Sequence, residues 1–147
     1  MYPIVQAAHS GWRWIVLFTL IWATGLAVSQ WLGKKPLSQG ARKAALFALI
    51  ATHIQFLMGL ILYFVSPKVQ LESMGEAMKT PLLRFYTVEH FSLMLIAVVL
   101  VTLGYNRAKK YVGTTRGSTW TAIFLLLALA LIMAGIPWPP KYEAGWY

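Results

Sequence analysis

The sequence predicts an all-α membrane protein built from four transmembrane helices. Hydrophobic residues make up 59% of the 147 residues and charged residues only 12%, which is more apolar surface than a soluble domain of this length can bury. Four apolar stretches each approach the roughly 20 residues that cross a bilayer. No polar stretch is long enough for a second unit, so we expect a single domain over residues 1–147.

The four spans are expected at about residues 4–32, 41–65, 82–105 and 119–136. Pro67, Pro81 and Pro137 mark their ends, because proline suits the first turn of a helix or the residues beyond its end. The connections are short, which predicts an up-down-up-down bundle with helices 1 and 3 on a diagonal. The first span lacks the basic start and the cleavage site of a signal peptide, so we expect it to be retained.

The placement of the basic residues predicts the orientation of the bundle. The first and third loops carry cations and no acid: Lys34, Lys35, Arg42, Lys43, Arg107, Lys109, Lys110 and Arg116. The positive-inside rule places these loops in the cytoplasm, with both termini outside, as in a bacterial inner membrane. The net charge of +9 therefore indicates topology and contact with the lipid bilayer, and we expect no nucleic-acid partner.

Several function classes have no support in the sequence. The chain has no cysteine, which excludes disulfides, thiolate metal sites and iron–sulfur clusters. It also lacks aspartate, a nucleophile elbow, a P-loop and an HExxH motif. An electron-transfer or accessory component is therefore expected more than a stand-alone enzyme.

The three histidines, His9, His53 and His90, all fall within the predicted spans. Ionisable side chains in a membrane are costly and are usually functional, and neutral imidazole commonly binds haem iron, copper or zinc. With a rise of 1.5 Å per residue, His9 lies roughly 8 Å, His90 roughly 12 Å and His53 roughly 20 Å from the outer ends of their helices. The similar depths of His9 and His90 predict that they face each other across the bundle.

This geometry predicts one haem between His9 and His90, with His53 bordering the same cavity or acting as an axial ligand itself. Arg13 lies on the same helix face as His9, and Arg84 lies near the outer surface. Both are candidates to bind haem propionates, since the guanidinium group matches a carboxylate. The expected redox partner is a quinone or a periplasmic protein, and a homodimer or a larger respiratory complex is also open.

Other interpretations of these residues stay open at the level of sequence. The three histidines are also candidate ligands of copper or zinc, with water, Glu89 or Met94 as the fourth ligand. The protein is alternatively a non-redox accessory subunit whose histidines only link helices. For Arg13, an ion pair with Glu89 between helices 1 and 3 is as well supported as a contact with a haem propionate. For Gln55, an outward-facing position or a contact between helices is favoured over a contact with a quinone.

Four segments of the chain carry a resemblance to a known family. They are His9-Ser10-Gly11-Trp12-Arg13-Trp14, Thr52-His53-Ile54-Gln55 with Gly59-Leu60-Ile61-Leu62-Tyr63-Phe64, Phe85-Tyr86-Thr87-Val88-Glu89-His90, and Ile136-Pro137-Trp138-Pro139. Together they resemble small four-helix membrane proteins of Bacteroidetes-type bacteria that are commonly labelled cytochrome b. The resemblance spans nearly the whole chain and implies a b-type haem held by membrane histidines. Three histidines allow one such bis-histidine site within a single chain.

Overall fold

The computed structural model describes residues 1–139, and these residues are helical with no strand. The predicted all-α class is thereby confirmed. Residues 140–147, including Lys141 and Glu143, lie outside the described part of the chain. Four of the helices are long and apolar enough to cross a membrane, which makes this chain a multi-pass membrane protein.

The long helices are α1 (Tyr2–Leu32), α2 (Gln39–Val65), α4 (Pro81–Lys110) and α5 (Thr115–Gly135), and a short helix α3 (Met74–Lys79) lies between α2 and α4. The first two match the predicted spans closely. The third helix ends five residues later than predicted, and the fourth begins four residues earlier than predicted. Both helices continue into polar sequence, because a hydrocarbon boundary ends the apolar stretch but not the backbone hydrogen bonding.

Local capping explains where the helices begin. The Ser38 hydroxyl accepts a hydrogen bond from the Ala41 amide at the start of α2, and the Thr114 hydroxyl accepts one from the Gly117 amide at the start of α5. Such side chains satisfy amide groups that have no partner within the first turn of a helix. The short helix α3 was not predicted, since its six residues carry no apolar period.

The bundle packs α1 against α2 and α5, and α4 against the same two helices. Helices α1 and α4 are therefore diagonal, as predicted. At the end that holds the basic loops the core consists largely of alanine, with Ala23, Ala27, Ala41, Ala44, Ala45, Ala48, Ala108, Ala122 and Ala128 all fully buried. Small residues let helix backbones approach closely in membrane proteins. We call this region the alanine half.

The two basic loops are joined to each other at the base of the alanine half. The Leu37 amide donates to the Thr114 carbonyl at 3.0 Å, and the Gly113 amide donates to the Leu37 carbonyl at 2.8 Å. The Ser118 hydroxyl donates to the Lys35 carbonyl at 2.9 Å. These bonds fix the spacing of all four long helices at this end.

Helix α4 contains a wide π turn over Phe85–Glu89, directly before His90. The His90 amide donates to the Phe85 carbonyl, five residues earlier. The Thr87 carbonyl accepts from the Tyr63 hydroxyl at 3.0 Å, and the Thr87 hydroxyl accepts from the Gln70 amide at 3.0 Å. Single π turns inside α-helices are frequent at functional sites, and this one directly precedes His90.

Candidate cofactor site

The other half of the bundle, which contains the chain's N-terminus, encloses a cavity of about 160 Å³. We call this region the cavity half. The cavity runs from Tyr2 and Lys68 at its mouth to Val16 and Val98 near the middle of the bundle. All four long helices or their ends contribute to its wall, which is mostly apolar. Further lining residues are Gln6, His9, Ser10, Arg13, Thr52, Gln55, Phe56, Gly59, Tyr63, Tyr86, His90, Phe91, Met94, Ala97, Ile132 and Ile136.

His9 and His90 face each other across this cavity. Their ring centroids are 6.3 Å apart and their ring planes are inclined by 76°. Two imidazoles that bind one metal ion from opposite sides, at about 2.0 Å each, have centroids roughly 6 Å apart. The predicted approach of these two histidines across the diagonal is therefore confirmed, and their spacing suits a shared ligand.

The orientation of His90 is set by the end of α5. His90 Nδ1 lies 2.7 Å from the Gly135 carbonyl oxygen. A carbonyl can only accept a hydrogen bond, so Nδ1 carries the proton and, in the neutral ring, Nε2 keeps its lone pair. A ligating histidine typically donates its other ring nitrogen to a carbonyl or carboxylate in this way.

The orientation of His9 is set by α2. The Gln55 amide nitrogen lies 2.9 Å from the His9 carbonyl oxygen and 3.3 Å from His9 Nε2. The His9 carbonyl oxygen can only accept a hydrogen bond, so the Gln55 atom beside it must be the amide nitrogen. An amide nitrogen only donates hydrogen bonds. His9 Nε2 must then accept, which places the proton of the neutral ring on Nδ1. Both histidines therefore hold the lone pair on Nε2.

Gly59 lies against the His9 ring from the same helix. A Cβ atom at this position would meet His9 Cε1 at 3.0 Å and Nδ1 at 3.6 Å. Gly59 follows Gln55 by four residues, so both lie on one face of α2. The ring is thus enclosed by a hydrogen-bonding amide and a bare backbone, which together leave it little freedom to turn.

Two buried polar atoms in this contact have no hydrogen-bond partner in the structure, His9 Nδ1 and Gln55 Oε1. An unsatisfied buried polar group costs about 1–3 kcal/mol. The stability of the fold does not explain why both His9 Nδ1 and Gln55 Oε1 are buried without partners. A site that is completed by rearrangement around a ligand does account for them.

The two predicted arginines occupy different environments. Arg13 is 8% exposed and lines the cavity, with its guanidinium carbon 5.2 Å from the centroid of the Trp14 ring. Arg84 forms an ion pair with Glu89 at 2.8 Å, and both side chains are about 40% exposed. The ion pair of Glu89 therefore lies within its own helix, and Arg84 is not among the residues that line the cavity.

His53 does not join the other two histidines. It is exposed on the outer face of α2, and its Nδ1 lies 2.8 Å from the Leu49 carbonyl oxygen. The expectation that His53 borders the cavity was wrong, because His53 and Gln55 are two residues apart and point to nearly opposite sides of the helix. Within residues 1–139, no three His, Asp or Glu side chains gather into a metal site.

Three groups position the histidines: Gln55, Gly59 and the Gly135 carbonyl. The sequence suggested Gln55 only as a contact between helices, and it assigned no such role to Gly59 or to the Gly135 carbonyl. A signal for the first two was present, since Thr52, Gln55 and Gly59 repeat at i, i+3 and i+7 and mark one face of α2. The Gly135 carbonyl is a backbone group. Its contact with His90 depends on where α5 ends beside α4, which no side-chain pattern predicts. Two side chains just before His90 contact other groups. The Thr87 hydroxyl accepts a hydrogen bond from the Gln70 amide at 3.0 Å, and the Tyr86 ring lies 6.3 Å from the His90 ring, inclined by 57°.

The chain was compared with family models, curated proteins and solved structures, and none of the three comparisons gave a match.

Proposed function

We propose that this chain is a membrane electron carrier that binds one b-type haem between His9 and His90. The observation that carries the proposal is the facing pair of imidazoles on diagonal helices, with ring centroids 6.3 Å apart. Haem would supply one-electron chemistry at its iron. His9 and His90 would hold the group, and the wall of the cavity would surround it with mostly apolar side chains.

The residues of the site fit such a group in their chemistry and spacing. Both imidazoles keep the Nε2 lone pair, as ligation through this atom requires. The cavity volume of about 160 Å³ is close to that of a cavity that admits benzene, and a porphyrin is larger. Flanking side chains such as Phe91 and Met94 would therefore have to turn aside on binding.

Arg13 is the side chain that we assign to a haem propionate. It is buried, it lines the cavity, and it follows His9 by one helical turn. Lys68 provides a second cation at the mouth of the cavity, where its amine lies 5.3 Å from the centroid of the Tyr86 ring. Arg84 is a weaker candidate than predicted because its charge is already compensated by Glu89.

The proposal includes an orientation in a bacterial inner membrane. The two basic loops would face the cytoplasm by the positive-inside rule, which places the mouth of the cavity at the outer surface. Electrons would then pass between a quinol in the bilayer and a periplasmic partner. The small size of the chain is consistent with work as a homodimer or within a larger respiratory complex.

The test is the optical spectrum of the purified full-length chain after expression with ample haem. We expect one b-type haem per chain, with a Soret band that shifts on reduction by dithionite. His9→Ala and His90→Ala should each abolish stoichiometric haem, whereas His53→Ala is the matched control and should retain it. Absence of a Soret band in the wild-type chain, or haem loss in His53→Ala alone, would overturn the proposal.

Copper is the second candidate, because Met94 lines the same cavity one turn after His90. Two imidazoles and a thioether are soft enough ligands for copper. Zinc has less support, since the third histidine lies on the outer face of α2. Elemental analysis of the same preparation separates the candidates. Stoichiometric copper without iron would favour the copper site and exclude the haem.

A further inference from the structure

We infer that Gln55 is a positioning residue for His9, which presets the ring for ligation and occupies Nε2 until a metal ion displaces it. The inference rests on the proposed function for the identity of the ligand. Its own basis is the geometry of α2 around the His9 ring, which does not depend on whether the metal is carried by haem.

The hydrogen bonds define what Gln55 does. Its amide nitrogen donates to the His9 carbonyl at 2.9 Å and to His9 Nε2 at 3.3 Å. The first bond anchors the Gln55 side chain to the backbone of α1. The second bond requires a lone pair on Nε2, so it selects the tautomer with the proton on Nδ1.

The two ligands are thus prepared in different ways. The Gly135 carbonyl accepts from His90 Nδ1 and leaves Nε2 unoccupied. Gln55 instead contacts the ligating nitrogen of His9 itself, and the remaining donor, His9 Nδ1, is buried without a partner. When a metal ion takes His9 Nε2, Gln55 keeps its bond to the His9 carbonyl and gives up only the longer bond.

The buried Gln55 Oε1 supports this assignment. Gln55 Oε1 has no hydrogen-bond partner, and neither has His9 Nδ1. A glutamine placed only to link two helices would be expected to use its oxygen as well as its nitrogen. Gly59 closes the other side of the ring, since any Cβ there would lie 3.0 Å from His9 Cε1. Rotation of Gln55 away from Nε2 is therefore the movement that this contact leaves available.

The test uses the full-length chain without haem in lipid bilayers, labelled with ¹⁵N-histidine. Only three imidazoles contribute signals, and His53→Ala and His9→Ala assign them. In the wild type, His9 and His90 should both be protonated on Nδ1. Gln55→Leu keeps the approximate size but removes the donor, and should shift the tautomer ratio of His9 about fivefold toward Nε2–H, the effect of one typical hydrogen bond. His90 should not change.

Three further variants keep the test decisive if Gln55→Leu is poorly folded. Gly59→Ala should displace the His9 ring and change its ¹⁵N shifts, whereas Gly25→Ala, where a Cβ has nothing within 4 Å, should not. Thr102→Val removes an internal hydrogen bond of α4 and controls for a general loss of polarity. A wild-type His9 protonated on Nε2, or a ratio unchanged in Gln55→Leu, would overturn the inference.

Titration with hemin separates this inference from the proposed function. Hemin uptake by a chain whose His9 lacks the preset tautomer would overturn the role of Gln55 and leave the haem proposal standing. The preset tautomer without any hemin uptake would overturn the haem proposal and leave Gln55 as the residue that sets the state of His9.

Discussion

The alanine half and the cavity half of this bundle are built from the same four helices but pack in opposite ways. In the alanine half, small side chains are fully buried and the loops are joined by backbone hydrogen bonds. In the cavity half, imidazole, phenyl and guanidinium groups surround a void of about 160 Å³. Close packing in the first half holds the helices at fixed positions, and these positions keep open the space in the second.

This difference indicates where sequence changes should be tolerated. Membrane interiors give no hydrophobic driving force between helices, so packing at small residues carries much of their association. Extra atoms in the alanine half have no space to enter, whereas extra atoms beside the cavity do. The predictions below test this division between the two halves, from the largest expected effect to the smallest.

The largest loss of stability is expected for Gly117→Ala in the alanine half. A Cβ at Gly117 would overlap the Tyr111 carbonyl, which is backbone, and would lie 3.2 Å from Leu37 Cβ. We expect a loss of about 3 kcal/mol in the free energy of unfolding, at the upper end for overpacking. Denaturation by SDS in mixed micelles measures it. Gly25→Ala has open space at its Cβ and should change stability by less than about 1 kcal/mol.

A smaller effect is expected for one added methylene on α4. Val101 is fully buried in the alanine half, and Val98, three residues earlier, lines the cavity. Val101→Ile should cost about 1–2 kcal/mol, while Val98→Ile should stay within about 0.5 kcal/mol because the void accepts the new atom. The same unfolding assay compares them. Equal costs for the two variants would contradict the division into a packed and an open half.

The π turn gives a third prediction, within the cavity half. Tyr63→Phe removes the hydroxyl that donates to the Thr87 carbonyl at 3.0 Å. The stacking of this ring on Phe91, with centroids 4.4 Å apart, is retained. We expect a loss of about 1 kcal/mol, as for a typical hydrogen bond, and faster hydrogen exchange at residues 85–90. Unchanged exchange there would show that Tyr63 does not hold the turn.

The smallest effect is expected for the ion pair between Arg84 and Glu89. Both side chains are about 40% exposed, so solvent weakens their attraction. A double-mutant cycle with Arg84→Ala and Glu89→Ala should give a coupling below about 1 kcal/mol that falls as salt is added. A larger coupling that resists salt would place this pair in the positioning of His90 rather than at the surface.

Sequence reasoning reached the fold because its determinants are long and local. Apolar stretches of about 20 residues and prolines at their ends predicted four helices, and the short loops predicted the diagonal that brings His9 to His90. The π turn at Phe85–Glu89 was not predictable in this way. It depends on partners from other elements, Tyr63 and Gln70, that bond to Thr87 only after the chain has folded.

The candidate site shows a different limit. Depth along a helix follows from residue number, but the direction of a side chain around the helix does not when the helix is apolar on all sides. His53 was therefore placed beside the cavity, although it is exposed on the outer face of α2. The repeat of Thr52, Gln55 and Gly59 gave the inner face of α2 and would have placed His53 opposite. The Gly135 carbonyl could not be read from any side-chain pattern.

The most direct test of the central claim is the low-temperature EPR spectrum of the oxidised, haem-loaded chain. If His9 and His90 both bind the iron with the inclination of 76° between their ring planes, the spectrum should be that of a low-spin ferric haem with strongly anisotropic g values, as expected for nearly perpendicular imidazoles. The same signal should persist in His53→Ala. A high-spin signal in the wild-type chain, or a low-spin signal that survives in His9→Ala, would contradict ligation by this pair.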